Sequence, residues 1–203
     1  MPIIDSIGES ILNEGFLSSA NMKSQLTTVL LKIFNGKTDM ADGKDIGNAI
    51  KKVRGVSKVA YLFSIEGDSS IGVTYYQHRY IVEDNKNIMY QVDVWNKPMD
   101  LVSRTTVKKM YDKSSTNIPD AICKDFIREY ISLAKKGFAG YCSVLKNTMG
   151  IYMYTPERGK QDTQIMTKNY ESFKSDIQTL INKIAEKYSD DLEIKSNNEL
   201  VYK

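Results

Sequence analysis

The stretch VTYYQHRYIVEDNKNIMYQVDVW, residues 73–95, decides the fold class of this chain. Its two halves alternate between apolar or aromatic and polar side chains, and the polar run 83–87 separates them. A period of two is typical of β-strands, and a short polar run between two such stretches is typical of a hairpin turn. The pattern therefore predicts two antiparallel strands, at 71–82 and 88–95.

A third alternating stretch, SKVAYLFSIE at 57–66, precedes this hairpin. In a regular strand Tyr61 and Phe63 would share one face, and we expect both in the core. The three stretches predict an antiparallel meander over about 57–95. The segment 101–111 is a candidate fourth strand, and 141–156 fits either a strand pair or an irregular segment.

Helical periodicity flanks the meander. It predicts helices at about 45–54, 118–136 and 163–188, of which the last has the most regular apolar stripe. The segment 22–36 fits a helix or a buried strand equally well. The stripe of the last helix consists of Met166, Tyr170, Phe173, Ile177, Leu180, Ile184 and Tyr188.

These elements predict an α+β fold in which helices pack on an antiparallel sheet. We expect a single α+β domain over 1–203, with a polar C-terminal tail at 189–203 that includes a short candidate strand. If TTVLLKIF (27–34) is a strand, the element order is loosely ferredoxin-like with an added hairpin.

The composition bears on the partners and the compartment of this protein. The net charge of +3 is too small to indicate a nucleic-acid partner by itself, and no apolar run approaches the roughly 18 residues of a membrane-spanning helix. Two cysteines do not make a disulfide scaffold, so we expect a reducing cytoplasm, in the host cell or a virion. The abundance of Lys, Asn, Ile and Tyr is typical of an AT-rich bacterial or viral genome.

Catalytic and metal patterns are weak. His78 is the only histidine, and no nucleophile motif accompanies it. Its spacing from Cys123 and Cys142 matches no zinc pattern, so we expect neither a metal nor a cofactor. A small hydrolase or transferase built on His78 is the least favoured class.

Strand 75–80 suggests a nucleic-acid- or nucleotide-binding module as the alternative function. Aromatic and basic side chains on an exposed strand can stack bases and contact phosphates. The structural alternative is that these tyrosines are half-buried strand residues with no role in binding. The candidate contacts are Tyr76, His78, Arg79, Tyr80, Lys51 and Lys52.

Both ends of the chain carry apolar stripes, and these favour a non-enzymatic assembly protein that binds other protein subunits. The N-terminal stripe predicts an assembly arm at 1–17. The C-terminal stripe either packs on the chain's own sheet or is shared with a second subunit. A viral or bacteriophage particle component, in a tail, neck or capsid, is the expected setting. The candidate partner contacts are Ile3, Ile7, Ile11, Phe173, Ile177, Leu180 and Ile184.

Overall fold

The computed structural model describes residues 24, 25, 28, 43–68, 74–97, 100–153 and 167–203. Within these residues, helices pack with two antiparallel four-stranded sheets, which confirms the α+β class. The N-terminal arm and the ambiguous segment 22–36 fall almost wholly outside the described residues. No helix in the described ranges is long and apolar enough to cross a membrane.

The first sheet is the predicted meander extended by one strand. Its strands are β1 (Val56–Asp68), β2 (Thr74–Asp84), β3 (Met89–Lys97) and β4 (Asp100–Tyr111), and they pair in chain order. Asp84 shapes the β2–β3 turn, because its Oδ1 accepts the backbone N–H groups of Lys86 and Ile88 at 2.8 and 2.9 Å. Asn87 completes the turn at φ 61°, a left-handed conformation that asparagine tolerates.

A register shift in β1 overturns the expectation that Tyr61 and Phe63 share a face. Tyr61 pairs with Tyr80, whereas Phe63 pairs with Arg79, the next residue back along β2. Successive strand residues point to opposite faces, so this irregularity places the two rings on opposite faces of the sheet. Phe63 packs against the main core, and Tyr61 remains 40% exposed.

One face of the sheet is covered by α1 (Gly43–Ile50), which overlaps the predicted helix 45–54. Gly43 and Gly47 allow α1 to approach the rings of Tyr61 and Tyr80 closely. A Cβ on Gly43 would lie 2.7 Å from the ring of Tyr61, and Tyr80 Oη donates to the Gly43 carbonyl at 2.6 Å. A first apolar cluster results, made of Ile46, Ile50, Val53, Tyr80, Val82, Tyr90, Val92 and Val94.

The other face is covered by the second half of the chain. Helix α2 (Asp120–Ala134) follows Pro119, as the predicted helix 118–136 requires, and the chain turns at Gly137 with φ 99°. The second sheet has the order β5-β6-β8-β7 and packs with α3 (Lys174–Lys187). Its strands are β5 (Tyr141–Leu145), β6 (Thr148–Tyr152), β7 (Leu192–Ser196) and β8 (Glu199–Tyr202).

Two expectations about this half need correction. Residues 189–203 form the β7–β8 hairpin of the second sheet rather than a polar tail, because Leu192 and Leu200 are buried in the core. The helix expected at 163–188 is interrupted at Phe173, whose N–H bonds the Tyr170 carbonyl in a tighter turn; 163–166 lie outside the described residues. The ferredoxin-like order depended on a strand at 27–34, and of these residues the structure describes only Thr28.

Candidate functional site

The strand expected to stack bases is buried. His78 is 5% exposed, and Arg79 and Tyr80 are fully buried. The side chain of Tyr76 lies outside the described set, while Lys51 and Lys52 are exposed beyond the end of α1. Both faces of the sheet are covered at these positions of β2, so His78, Arg79 and Tyr80 form no open platform for bases. The structure corrects the sequence-based alternative at His78, Arg79 and Tyr80.

Arg79 is the centre of a buried polar network. Its Nε and Nη2 donate to the two carboxylate oxygens of Asp93 at 2.7 and 3.1 Å. Nη2 also donates to the Ala139 carbonyl at 3.1 Å, and Nη1 donates to the carbonyls of Phe138 and Gly140 at 2.9 and 2.6 Å. These bonds use all five N–H donors of the guanidinium group. Arg79 therefore has no donor left for a ligand.

Gln91 and Tyr130 extend this network between the first sheet and α2. The Gln91 amide donates to Asp93 at 3.0 Å, and Tyr130 Oη contacts both Gln91 Oε1 and the Gly140 carbonyl. Burial raises the pKa of Tyr130, so the phenol stays a neutral donor. The network fastens residues 138–140, the link between α2 and β5, to the first sheet. Its role in the fold is to hold the two halves of the chain together.

The two thiols of the chain are also internal. Cys123 lies on α2 and Cys142 on β5, and both are buried in the main core. Burial raises the pKa of Cys123 to about 11 and also raises the pKa of Cys142, so neither is a ready thiolate at neutral pH. Among the described residues, no three His, Cys, Asp or Glu side chains lie close enough together to hold a metal ion.

We expect the native protein to react with no equivalent of a thiol reagent such as DTNB at pH 8. Both access and thiolate formation are suppressed in the folded state. After unfolding in guanidinium chloride the same sample should titrate two thiols, the full cysteine content. Rapid reaction of one thiol in the native protein would instead reveal an accessible, activated cysteine and would favour a catalytic function.

A groove on the outer face of the second sheet is the candidate binding site. Strand alternation brings side chains from β5 and β6 to this face, in the pairs Tyr141–Tyr152 and Leu145–Thr148. The groove has a volume of about 430 Å³, within the range of about 300–1,000 Å³ that is usual for ligand sites. It is lined by Tyr141, Ser143, Leu145, Lys146, Thr148 and Tyr152.

Its two aromatic rings are held in place. The ring centroids of Tyr141 and Tyr152 are 5.5 Å apart, and the Lys108 Nζ lies 4.2 Å over the ring of Tyr141. Tyr152 Oη donates to Glu199 at 2.7 Å, and burial together with this carboxylate raises the pKa of Tyr152. Lys195 neutralises Glu199 in turn, with an Nζ–Oε2 distance of 3.1 Å.

Glycine and a tight turn shape the groove further. A Cβ on Gly150 would lie 2.3 Å from Tyr152 Oη, so the absence of a side chain lets this ring lie over the strand. Lys146 adopts φ 53° in the β5–β6 turn. Its N–H bonds the Ser115 carbonyl at 2.8 Å, and its own carbonyl accepts from Asn117 N and Thr116 Oγ1 at 3.0 and 2.6 Å. The groove is therefore preformed.

The predicted partner contacts lie elsewhere. Ile177, Leu180 and Ile184 are only 1–6% exposed, and Phe173 packs edge-on against Phe138. The structure thus uses the C-terminal stripe within the chain's own core, because burial against α2 and the second sheet already removes it from water. We therefore do not propose the C-terminal stripe as a surface that binds a partner. Ile3, Ile7 and Ile11 lie outside the described residues, and their role stays a prediction.

Sequence reasoning missed the groove, although one signal was present. The alternation of Tyr141, Ser143 and Leu145 would have placed these side chains on a single face of a strand. Only the pairing with β6 shows that Thr148 and Tyr152 join them, and only the packing shows that this face points outward.

Comparison with protein-family models, with curated proteins and with solved structures finds no match to this chain.

Proposed function

We propose that this protein acts by binding other proteins, as a non-enzymatic component of an assembly. The observation that supports this best is the groove on the outer face of the second sheet, a surface of tyrosine, leucine and lysine. Aromatic side chains combined with a few polar groups are typical of protein-binding surfaces. Leu145, at 51% exposure, presents the largest exposed apolar side chain of this face.

The burial of reactive side chains also supports a non-enzymatic function. The groups that enzymes most often use, which here are His78, Arg79, Cys123 and Cys142, lie inside the molecule. The guanidinium of Arg79 is matched within the chain, and burial keeps both thiols protonated. We further propose a viral or bacteriophage particle as the setting, and that part rests on composition alone.

An assembly protein should be found in a complex in its natural setting. We expect the tagged full-length chain to sediment with a larger particle or oligomer on a density gradient of its native source. Sedimentation velocity of the purified protein gives the reference for the free chain. If the protein sediments only as a free monomer in both measurements, the assembly proposal fails.

A further inference from the structure

We propose that the groove of β5 and β6 binds an extended acidic segment of a partner protein, in which carboxylates alternate with aliphatic side chains. This inference rests on the proposed function and names the chemistry of the partner. Lys146 lines the groove, and the Nζ of Lys108 lies over the ring of Tyr141 at its edge.

The charge at the groove indicates an anionic occupant. None of the six lining residues is acidic, and one of them is Lys146, an exposed lysine whose amine forms no ion pair with any described residue. Lys108 lies against the edge of the groove, over Tyr141. The nearby carboxylate of Glu199 is already matched by Tyr152 and Lys195. A partner carboxylate would thus meet positive charge and little repulsion.

The apolar part of the groove indicates aliphatic side chains between the carboxylates. Leu145 is half exposed, and the two tyrosine rings provide the remaining apolar surface. The hydroxyl groups of Ser143 and Thr148 stand between these apolar groups and can bond a peptide backbone. In an extended segment with a period of two, the carboxylates lie along one side and the aliphatic groups along the other. One side can then face Lys146 while the other packs on Leu145 and the tyrosine rings.

The arrangement of the rings favours a peptide over single-stranded nucleic acid. Base stacking needs an open ring face. One face of Tyr141 is occupied by the Lys108 amine at 4.2 Å, and Tyr152 lies over the backbone at Gly150. The Tyr141 and Tyr152 rings also contact each other, with centroids 5.5 Å apart. Both rings therefore offer edges rather than free faces.

Anchoring of the site reduces the cost of binding. The turn at Lys146 is held by three hydrogen bonds to residues 115–117, and Tyr152 is held by Glu199. Side chains that are already ordered lose little entropy when a partner arrives. A short segment can therefore bind without a rearrangement of the sheet.

The test uses the full-length protein and three fluorescein-labelled probes. These are a short peptide that alternates glutamate with leucine, the same peptide with lysine for glutamate, and an oligothymidylate strand. We expect saturable binding of the glutamate peptide alone in fluorescence anisotropy. Amide shifts in a ¹⁵N-labelled sample should cluster at 141–152 and near Lys108.

Variants locate the site. Lys146→Glu and Leu145→Ala should each weaken binding about tenfold, as central contacts of an interface do. Two control variants change exposed residues away from the groove: Lys52→Glu in the turn after α1, and Ile194→Ala on β7, whose side chain is 45% exposed. Both controls should bind like the unchanged protein, and circular dichroism should show that all four variants fold.

Three outcomes would overturn the inference. They are absence of saturable binding by the glutamate peptide, equal binding by the groove variants, and preferential binding of oligothymidylate that Lys146→Glu abolishes. If the protein still sediments in a complex while the peptide does not bind, the assembly function stands and uses another surface. If the peptide binds but no complex forms in the native source, the assembly function fails and the groove is a peptide site.

Discussion

Replacing Arg79 with methionine is expected to lower the free energy of unfolding by about 3–5 kcal/mol, a large part of the stability of an ordinary domain. The substitution leaves the Asp93 carboxylate buried, with the Gln91 amide as a remaining donor. It also removes the donors that satisfy the carbonyls of 138–140. Urea denaturation followed by circular dichroism measures the change.

Three further variants separate the ion pair from the carbonyl contacts. Arg79→Lys should lose most of the stability, because an ammonium cannot reproduce five donors in a planar fork. The double variant Arg79→Met with Asp93→Leu should recover part of it, since no unmatched charge remains but the three carbonyls stay without their donors. Lys58→Met breaks the exposed pair with Glu83 and should cost about 0–1 kcal/mol.

A small effect would change the interpretation of the network. If Arg79→Met and Lys58→Met destabilised the protein equally, water or a rearranged chain would have to satisfy Asp93. The network would then not hold the two halves of the molecule together, and Arg79 would be open to a functional role.

Phe126→Ala is expected to cost about 3–5 kcal/mol, because it removes a fully buried ring from the main core and leaves a cavity. Phe126 lies on α2, the helix between the two sheets in the chain. Denaturant unfolding should show a lower midpoint with an unchanged slope.

Phe63→Ala is the matched control. This phenylalanine is only partly buried at the edge of the same core, with the Arg79 guanidinium 5.2 Å from its ring centroid. Its truncation should cost clearly less than that of Phe126. The reverse order would mean that the bulged strand β1, and not α2, carries the main packing.

Local pattern predicted much of the secondary structure. A period of two placed the strands of the meander, and a period of 3.6 placed α1 and α2, each within a few residues of its observed ends. The same period also indicated α3, but it did not predict the interruption at Phe173. The bulge between Tyr61 and Phe63 was beyond such reasoning, because an irregular register arises from pairing with β2 and leaves the alternation in the sequence unchanged.

The buried network and the groove also depend partly on local sequence pattern and partly on tertiary packing. The sequence by itself determined which side chains share a face: Tyr80 with His78 on one side of β2, and Arg79 on the other. It also determined where α2 starts and stops, through Pro119 and Gly137. These are properties of neighbouring residues along the backbone, and steric preferences are enough to set them.

Only the tertiary structure decided which faces meet water. The middle of β2 is covered on both faces, which buries His78 and directs Arg79 to the carbonyls of 138–140, residues about 60 positions away in the chain. The outer face of the second sheet stays open, and Tyr141 and Tyr152 meet there through strand pairing. Exposure depends on what packs against a face, and contacts between distant parts of the chain leave no period in the sequence.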